Sequence, residues 1–335
     1  MLTRLYDRFI DASHKENRDD IFLQEAIDLF SGKRQGHLIH RCYMSSAALF
    51  FGGQFSSTPH NYMKPGEISA IYNSKARVGE LVKHENGAVG IENGPGMETA
   101  MRSKSAPFFS AMPGLHTYIG RDYSDMSIDM LKIIMAEELP HATIIGDRSN
   151  YLTDPLPSHS KGRKIISEFG MTTGNMEGKP EDGFPYETIK ANIAAQKRHM
   201  DDGDIYTVPF DCNQNGDEVE AAYNSQWTTL WGRELFKLMK AELPVSGDFD
   251  PEAFTFKSIW DGTSHASHNY MIAQRDMSFK IASQKFDIKK GDKFGITNSY
   301  KMPVTYARKI ADELDLKLEM FYSDDKRIAM PVYIR

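Results

Sequence analysis

The stretch "VGIENGPGMETA" over 89–100 puts an acid, Glu92, at the end of a short apolar run and follows it with Gly94, Pro95 and Gly96. Glycines give up side chains where a backbone must turn sharply or where a ligand must come close to it. Two more acids end apolar runs further on: Asp122 closes "HTYIGRD" and Asp147 closes "HATIIGD". An ionised carboxylate only accepts hydrogen bonds. One at a strand end suits the two hydroxyls of a ribose, and another suits an adenine amino group. Strand-end aspartates also cap helices, so each acid taken alone carries two readings.

Turn and acids together describe a nucleoside site at the carboxyl edge of a sheet. A dinucleotide fits it poorly. Met97, Glu98 and Thr99 follow Gly96, so the third glycine of the dinucleotide fingerprint is missing and an acid stands where a diphosphate would lie. The ligand that matches a glycine turn, a ribose acid and an adenine acid without a pyrophosphate clamp is S-adenosyl-L-methionine. The expected cofactor contacts are therefore Glu92, Gly94, Gly96, Asp122 and Asp147.

These residues need elements to carry them. Residues 64–82 have a proline-glycine start and helical apolar spacing. Strand patterns cover 87–92, 116–122, 141–147, 164–169 and 203–210. Helical patterns between them begin at 97, at 124 and at 185; the first should stop near Pro107, and the second has Ser124 as its N-cap. Strands separated by helices imply right-handed crossovers and a mostly parallel sheet covered on both faces, an α/β Rossmann-like arrangement. The rhythm stops after about 210. One long helical stretch, 215–243, precedes segments over 267–299 that alternate like antiparallel strands. A helix at 306–316 and two strands over 317–335 then return to the first style and should complete the first sheet. Residues 1–30 read as two short amphipathic helices, and 38–63 as a helix followed by a loop.

From 164 onward the chain resembles the histidine Nα-methyltransferases of ergothioneine biosynthesis and their relatives. The likeness rests on "EFGMTTGNM" (168–176), "DEVEAAYNS" (217–225), "GRELFKLMKAEL" (232–243), "DFDPEAF" (248–254) followed by Trp260, and "TNSYK" (297–301). The resemblance implies a class I methyltransferase sheet with an inserted α+β substrate-binding domain. The S-adenosylmethionine unit would cover 65–210 plus 302–335, and the substrate unit 1–64 plus 211–301. It implies that Asn175 and Tyr223 hold the α-amino and α-carboxylate groups of an amino acid and are the catalytic pair. Tyr43 and Phe51 would help close the pocket, Tyr62 would stand beside the cofactor, and Tyr270, Thr297 and Ser299 would face the substrate's side chain. Methyl transfer to nitrogen then needs mainly positioning and a neutral amine, and no dedicated base is evident.

The departures concern the substrate. Thr297 stands where the histidine enzymes carry the acid that grips the imidazole, and Tyr270 falls at or near a family methionine or apolar residue. "FDCNQ" lacks a common lysine, and the glycine turn lacks the family's threonine and lysine; Ser299 and Lys301 persist. The expected activity is N-methylation of the α-amino group of a small amino acid or related amine other than histidine. The alternative is transfer of the aminocarboxypropyl arm, or self-cyclisation of S-adenosylmethionine, either of which releases methylthioadenosine. A cofactor-sensing protein without turnover is a third reading.

Other classes fit less well. A net charge of -6 is no footprint for nucleic acid. The two cysteines, Cys42 and Cys212, form neither metal spacing nor a disulfide framework. The N-terminus is too charged for a signal peptide, and no apolar run approaches the roughly 18 residues that a membrane span needs. "HASH" (265–268) would point its two histidines to opposite faces of a strand, and "HLIH" (37–40) has no acids near it, so no metal is expected. Trp227, Trp231 and Trp260 read as core of the second unit. The chain is expected to be cytoplasmic, a monomer or weak homodimer, with a small-molecule substrate and no nucleic-acid or membrane partner.

Overall fold

The structure is a computed structural model that describes residues 15–33, 46–122, 124–159 and 161–335. The apolar strand runs become β1 Ala88–Asn93, β2 Leu115–Asp122, β3 Thr143–Arg148, β4 Arg163–Ser167, β5 Ile205–Thr207 and the short β6 Phe210–Asp211. The inserted strands are β7 Val245–Gly247, β8 Phe254–Asp261, β9 Ala266–Ala273, β10 Met277–Ile281, β11 Gln284–Ile288 and β12 Lys293–Tyr300. β13 Lys317–Tyr322 and β14 Ile328–Ile334 end the chain. Among the described residues the helices are α1 Lys15–Phe30, α2 Ser46–Phe55 and α3 Met63–Leu81, then α4, whose π turn Met101–Ser105 lies between Glu98–Ala100 and Ala106–Phe109. They continue with α5 Asp125–Glu138, α6 Tyr186–Lys197, α7 Gly216–Tyr223, α8 Gln226–Glu242 and α9 Val304–Glu313.

The main sheet has the order β3-β2-β1-β4-β5-β14-β13, with β6 also on β14. β14 runs antiparallel to its neighbours, and β1 to β5 are mutually parallel. Every residue of β1 is buried, as a central parallel strand requires. Alternation sorts the side chains: Tyr118 and Ile165 enter one apolar layer with Phe108, Phe109 and Leu131, while Ile119 and Ile166 enter the opposite layer with Ile193 and Ile310. The strand order reverses between β1 and β4, which opens a crevice at their carboxyl ends.

The inserted strands form two antiparallel sheets, β11-β10-β7 and β12-β9-β8. They bury Phe249, Phe254, Phe279 and Phe294 against Phe22 and Phe30 of α1 and Phe236 of α8.

Three elements differ from their sequence patterns. α4 ends at Phe109, near Pro107 as expected, but it passes the proline by a route its spacing does not show. The Ala106 N–H reaches back five residues to the Met101 carbonyl, and this wider turn carries the helix through the proline. The stretch 215–243 is two helices. Asn224 leaves the helical path to bond both backbone groups of Ser258 on β8, at 2.8 and 3.2 Å. Ser225 then opens α8 with a capping box to Thr228. Lastly, the pattern over 203–210 is interrupted after Thr207. Register places Val208 and Pro209 opposite Met330 and Pro331, so two residues without N–H groups share one gap in the ladder. The Thr207 hydroxyl bridges the gap to the Pro331 carbonyl at 2.8 Å.

Candidate active site

β1 and β4 are neighbours, so the turn after β1 and the loop after β4 stand side by side at the crevice. The turn needs its glycines: Gly94 and Gly96 have φ of 64° and 74°, where a Cβ is strained. Gly94 also anchors the turn, its N–H donating to the Arg121 carbonyl at 2.8 Å. A Cβ built on Gly94 would meet nothing within 4 Å, so the backbone here borders open space. Beside it, Asn93 is buried; its Nδ2 donates to Gln196 at 3.0 Å, while its Oδ1 has no partner.

Glu92 does not face that space, contrary to its expected ligand role. It is fully buried and accepts from the Tyr118 hydroxyl at 2.5 Å and the Ser105 hydroxyl at 2.8 Å. Burial pushes its carboxyl up to about 7, against the pull of those two hydroxyls and Lys104. Its place is structural: it ties α4 to the strands behind the turn.

Asp122 stands at the end of β2, with Oδ1 accepting from the Ser124 N–H and Oδ2 from the Ser127 hydroxyl, both at 2.9 Å. Ser124 is the N-cap of α5, so this acid holds the capping residue in place rather than capping the helix itself. A carboxylate has about four acceptor sites, so this hold and ribose recognition are compatible. Asp147 sits on the opposite face of the sheet, in register with Arg121. Its Oδ2 accepts from the Arg121 Nε at 2.9 Å and from the Ser149 hydroxyl at 2.5 Å. The wholly buried Arg121 also binds the carbonyls of Asp154 and Pro155, which fixes the loop after β3. Asp147 is thus partly committed to a buried ion pair that the sequence reading did not foresee.

A second cluster lies among α7, β6 and β12. Lys301 is 1% exposed. Its Nζ lies 2.9 Å from Asp211 Oδ2 and donates to the Tyr223 and Ser299 hydroxyl oxygens, both at 3.0 Å. The Tyr223 hydroxyl meets Ser299 Oγ at 2.7 Å. Burial disfavours the Lys301 charge, but Asp211 and Tyr223 outweigh it and hold the ammonium above the ordinary lysine range. Tyr62 belongs here too. Its hydroxyl donates to Asp211 at 2.8 Å and its ring lies under Arg327, so the structure ties it to the Asp211–Lys301 pair.

The structure therefore brings Tyr223 and Ser299 together. Thr297 lies two residues from Ser299 on the same face of β12 and opposite Asn269 on β9. Tyr270 does not join them: strand alternation turns its ring to the other face, where burial, Glu181 and Asp261 raise its phenol. Phe51 is half-buried on α2, against Phe50 at 5.7 Å. One turn further on, Phe55 stacks on Tyr223 at 5.7 Å and 27°. Tyr43 lies outside the described residues, as do Cys42, His37 and His40. The sequence marks Lys301 only as a residue the family motif retains, and it does not mark Asp211, Asn269 or Phe55. For Phe55 a signal existed, since i and i+4 share a helix face with Phe51.

The loop after β4 carries Asn175, half-buried, with no hydrogen bond between its side chain and Tyr223. Its neighbours fix its position. Gly174 packs on the Tyr300 backbone, where a Cβ would come within 2.8 Å of the carbonyl, and Asn298 holds the Met176 and Gly178 carbonyls at 3.2 and 2.6 Å. At its start, Glu67 of α3 accepts from the Gly170 N–H and pairs with Lys104 of α4 at 2.9 Å. Buried Glu168 accepts from the hydroxyls of Thr172, Thr173 and Tyr206. The buried Glu67 carboxylate thereby ties the glycine-turn helix to the loop after β4.

A family of histidine-specific, S-adenosylmethionine-dependent methyltransferases matches residues 48–335. The chain belongs to this family. It is a S-adenosylmethionine-dependent methyltransferase with a Rossmann-like class I sheet. A relative in Sinorhizobium fredii (strain NBRC 101917 / NGR234), the uncharacterized protein y4iF, is 24% identical over 254 residues, which is 72% of this chain and 79% of that one. Similar solved structures include a S-adenosylmethionine-dependent methyltransferase from Clostridium acetobutylicum ATCC 824, with 10% identity, 80% and 90% coverage of the two chains and a TM-score of 0.42. Another is magnesium protoporphyrin IX methyltransferase from Synechocystis PCC 6803, with 11% identity, 89% and 95% coverage and a TM-score of 0.43.

The residues of this methyltransferase fit the cofactor. The open ground over Gly94, the unpartnered Asn93 Oδ1 and the Asp122 carboxylate lie at adjoining strand ends. Among the described residues no group of three or more His, Cys, Asp or Glu could hold a metal ion, and no helix is long and apolar enough to cross a membrane.

Proposed function

We propose that this methyltransferase acts on the α-amino nitrogen of a small amino acid other than histidine. S-adenosylmethionine, when bound, supplies an electrophilic methyl group. The glycine turn and Asp122 would hold its nucleoside, with Asp147 toward the adenine. Asn175, whose amide can both donate and accept, and Tyr223, whose phenol can donate, would hold the substrate's amino and carboxylate groups. The Glu67 bonds to Gly170 and Lys104 keep the two loops in fixed relation, which is what a transfer governed by positioning requires. The attacking amine must be neutral, so turnover should climb with pH as the substrate amine loses its proton.

The observation that carries the exclusion of histidine is the buried polar face of β12-β9-β8 on which Thr297 and Ser299 lie. Ser258, Ser267, Asn269, Thr297 and Ser299 share one buried face of β12-β9-β8, and none is an acid. An imidazole N–H would find no carboxylate there. The proposal includes the division of labour between a cofactor unit of 65–210 plus 302–335 and a substrate unit of 1–64 plus 211–301. The separate aromatic cluster of α1, α8 and the inserted strands supports it. A cytosolic setting is proposed on the two-cysteine composition.

The test is incubation with S-adenosylmethionine and an amino-acid panel, with both nucleoside by-products read by mass spectrometry. S-adenosylhomocysteine should form, and its rate should fall at least about tenfold in Asp122→Ala and in Asn175→Ala. Methylthioadenosine as the product, or unchanged rates in both variants, would overturn the reading.

A further inference from the structure

The hydrogens of the buried polar face can be assigned one by one, and the assignment states what a bound side chain must offer. Ser258 is wholly buried, and its one polar contact besides the backbone is the Ser267 hydroxyl. Ser267 donates to Asn269 Oδ1 at 3.1 Å. Ser258 must then donate to Ser267. The reverse wiring, with the Asn269 amide flipped, would leave the Ser258 hydrogen buried without an acceptor. The chain Ser258 to Ser267 to Asn269 therefore fixes the amide of Asn269, which is 2% exposed, with its NH2 uncommitted. Across from it, the Thr297 hydroxyl makes one long contact, to the Asn298 carbonyl at 3.4 Å, and its oxygen can accept. Paired residues on antiparallel strands hold their Cβ atoms about 5 Å apart, within reach of one small group.

The neighbouring cluster adds one more donor. The three hydrogens of the Lys301 ammonium go to Asp211, Tyr223 and Ser299. Of the two hydroxyl hydrogens on Tyr223 and Ser299, one closes the 2.7 Å contact between them and the other remains for a ligand. The cation itself is already paired with Asp211 at 2.9 Å, so the pocket has no unpaired positive charge among these residues.

We propose that the methyl acceptor is an amino acid whose side chain ends in a primary carboxamide, its C=O facing the Asn269 NH2 and its NH2 facing the Thr297 oxygen. This rests on the α-amino reading above and narrows it. A carboxylate would enter without a counter-charge and would lack a hydrogen for Thr297. An imidazole or an apolar chain would leave the Asn269 donors unmatched in a buried face.

The experiment is calorimetry of glutamine, asparagine, glutamate, aspartate, histidine and leucine into the protein loaded with S-adenosylhomocysteine, together with kcat/KM for each. The better carboxamide should bind and turn over at least about tenfold more effectively than its carboxylate counterpart, histidine or leucine. Thr297→Val, an isosteric change, should shrink the margin of carboxamide over leucine roughly tenfold, and Asn269→Asp should abolish it. Preference for histidine, a carboxylate or leucine in the wild type overturns the inference even if neither variant folds. So does an equal loss for every substrate in Thr297→Val. S-adenosylhomocysteine production with any amino acid keeps the methyltransferase reading while the ranking judges this one; no binding and no product with any of them removes both.

Discussion

Lys301 shows how much one side chain can be asked to organise. It is buried, it neutralises Asp211, and it orders the Tyr223 and Ser299 hydroxyls. Removing its charge strands a carboxylate that is 4% exposed. Lys301→Met should therefore cost about 3–5 kcal/mol in urea unfolding, and adding Asp211→Asn should return a large part of it. Equal losses for the single and double variants would show that the pair does not act as a unit. Tyr223 and Ser299 were legible because they lie in short motifs. Asp211 and Asn269 were not, because Lys301 lies 90 residues from Asp211 and Thr297 lies 28 residues from Asn269, and no local spacing joins a strand end at 211 to a lysine at 301. Glu92 was legible as a strand-end acid, yet its direction was not, since whether a side chain points at a crevice or into α4 depends on how the helix packs.

At the scale of elements, the turns at the sheet rim work only because helices sit close upon the strands. Gly120 of β2 is the clearest case: a Cβ there would come within 1.9 Å of Leu131 Cδ1 on α5. Gly120→Ala should thus lower stability by about 1–3 kcal/mol and displace α5, whose N-terminus Ser124 caps and Asp122 holds through the Ser124 N–H. A neutral outcome in chemical denaturation would mean that α5 can retreat at no cost. Period-2 and helical spacing found most elements, whereas the passage of α4 through Pro107 and the break at Asn224 escaped notice. A π turn leaves no compositional mark, and Asn224 bends away only because Ser258 is there to be bonded.

The whole molecule carries a pH dependence through its buried acids. Glu92, with its carboxyl near 7 in the folded chain against an ordinary 4.5, binds its proton more tightly folded than unfolded. Its contribution is complete below about 4.5 and is lost as pH rises through about 7, at most about 3 kcal/mol. Glu92→Gln lacks this titration. The stability of the variant relative to the wild type should consequently rise with pH across that window and level off above it. A difference that stays flat from pH 4.5 to 8 would mean that the carboxyl is not strained by burial.

Composition, strand-helix rhythm and a handful of local motifs determined the Rossmann-like sheet, the methyl-donor cofactor and the two motifs that carry Tyr223 and Ser299. Those are properties of short windows, where apolar spacing and turn chemistry act between residues close in the chain. Only the tertiary structure decided which faces those residues share. It turned Tyr270 away, tied Tyr62 to the Asp211 pair, sent Glu92 inward and set Asn269 opposite Thr297. Hydrogen bonds in a buried site join groups from distant strands, and their directions follow from register and packing rather than from spacing along the chain.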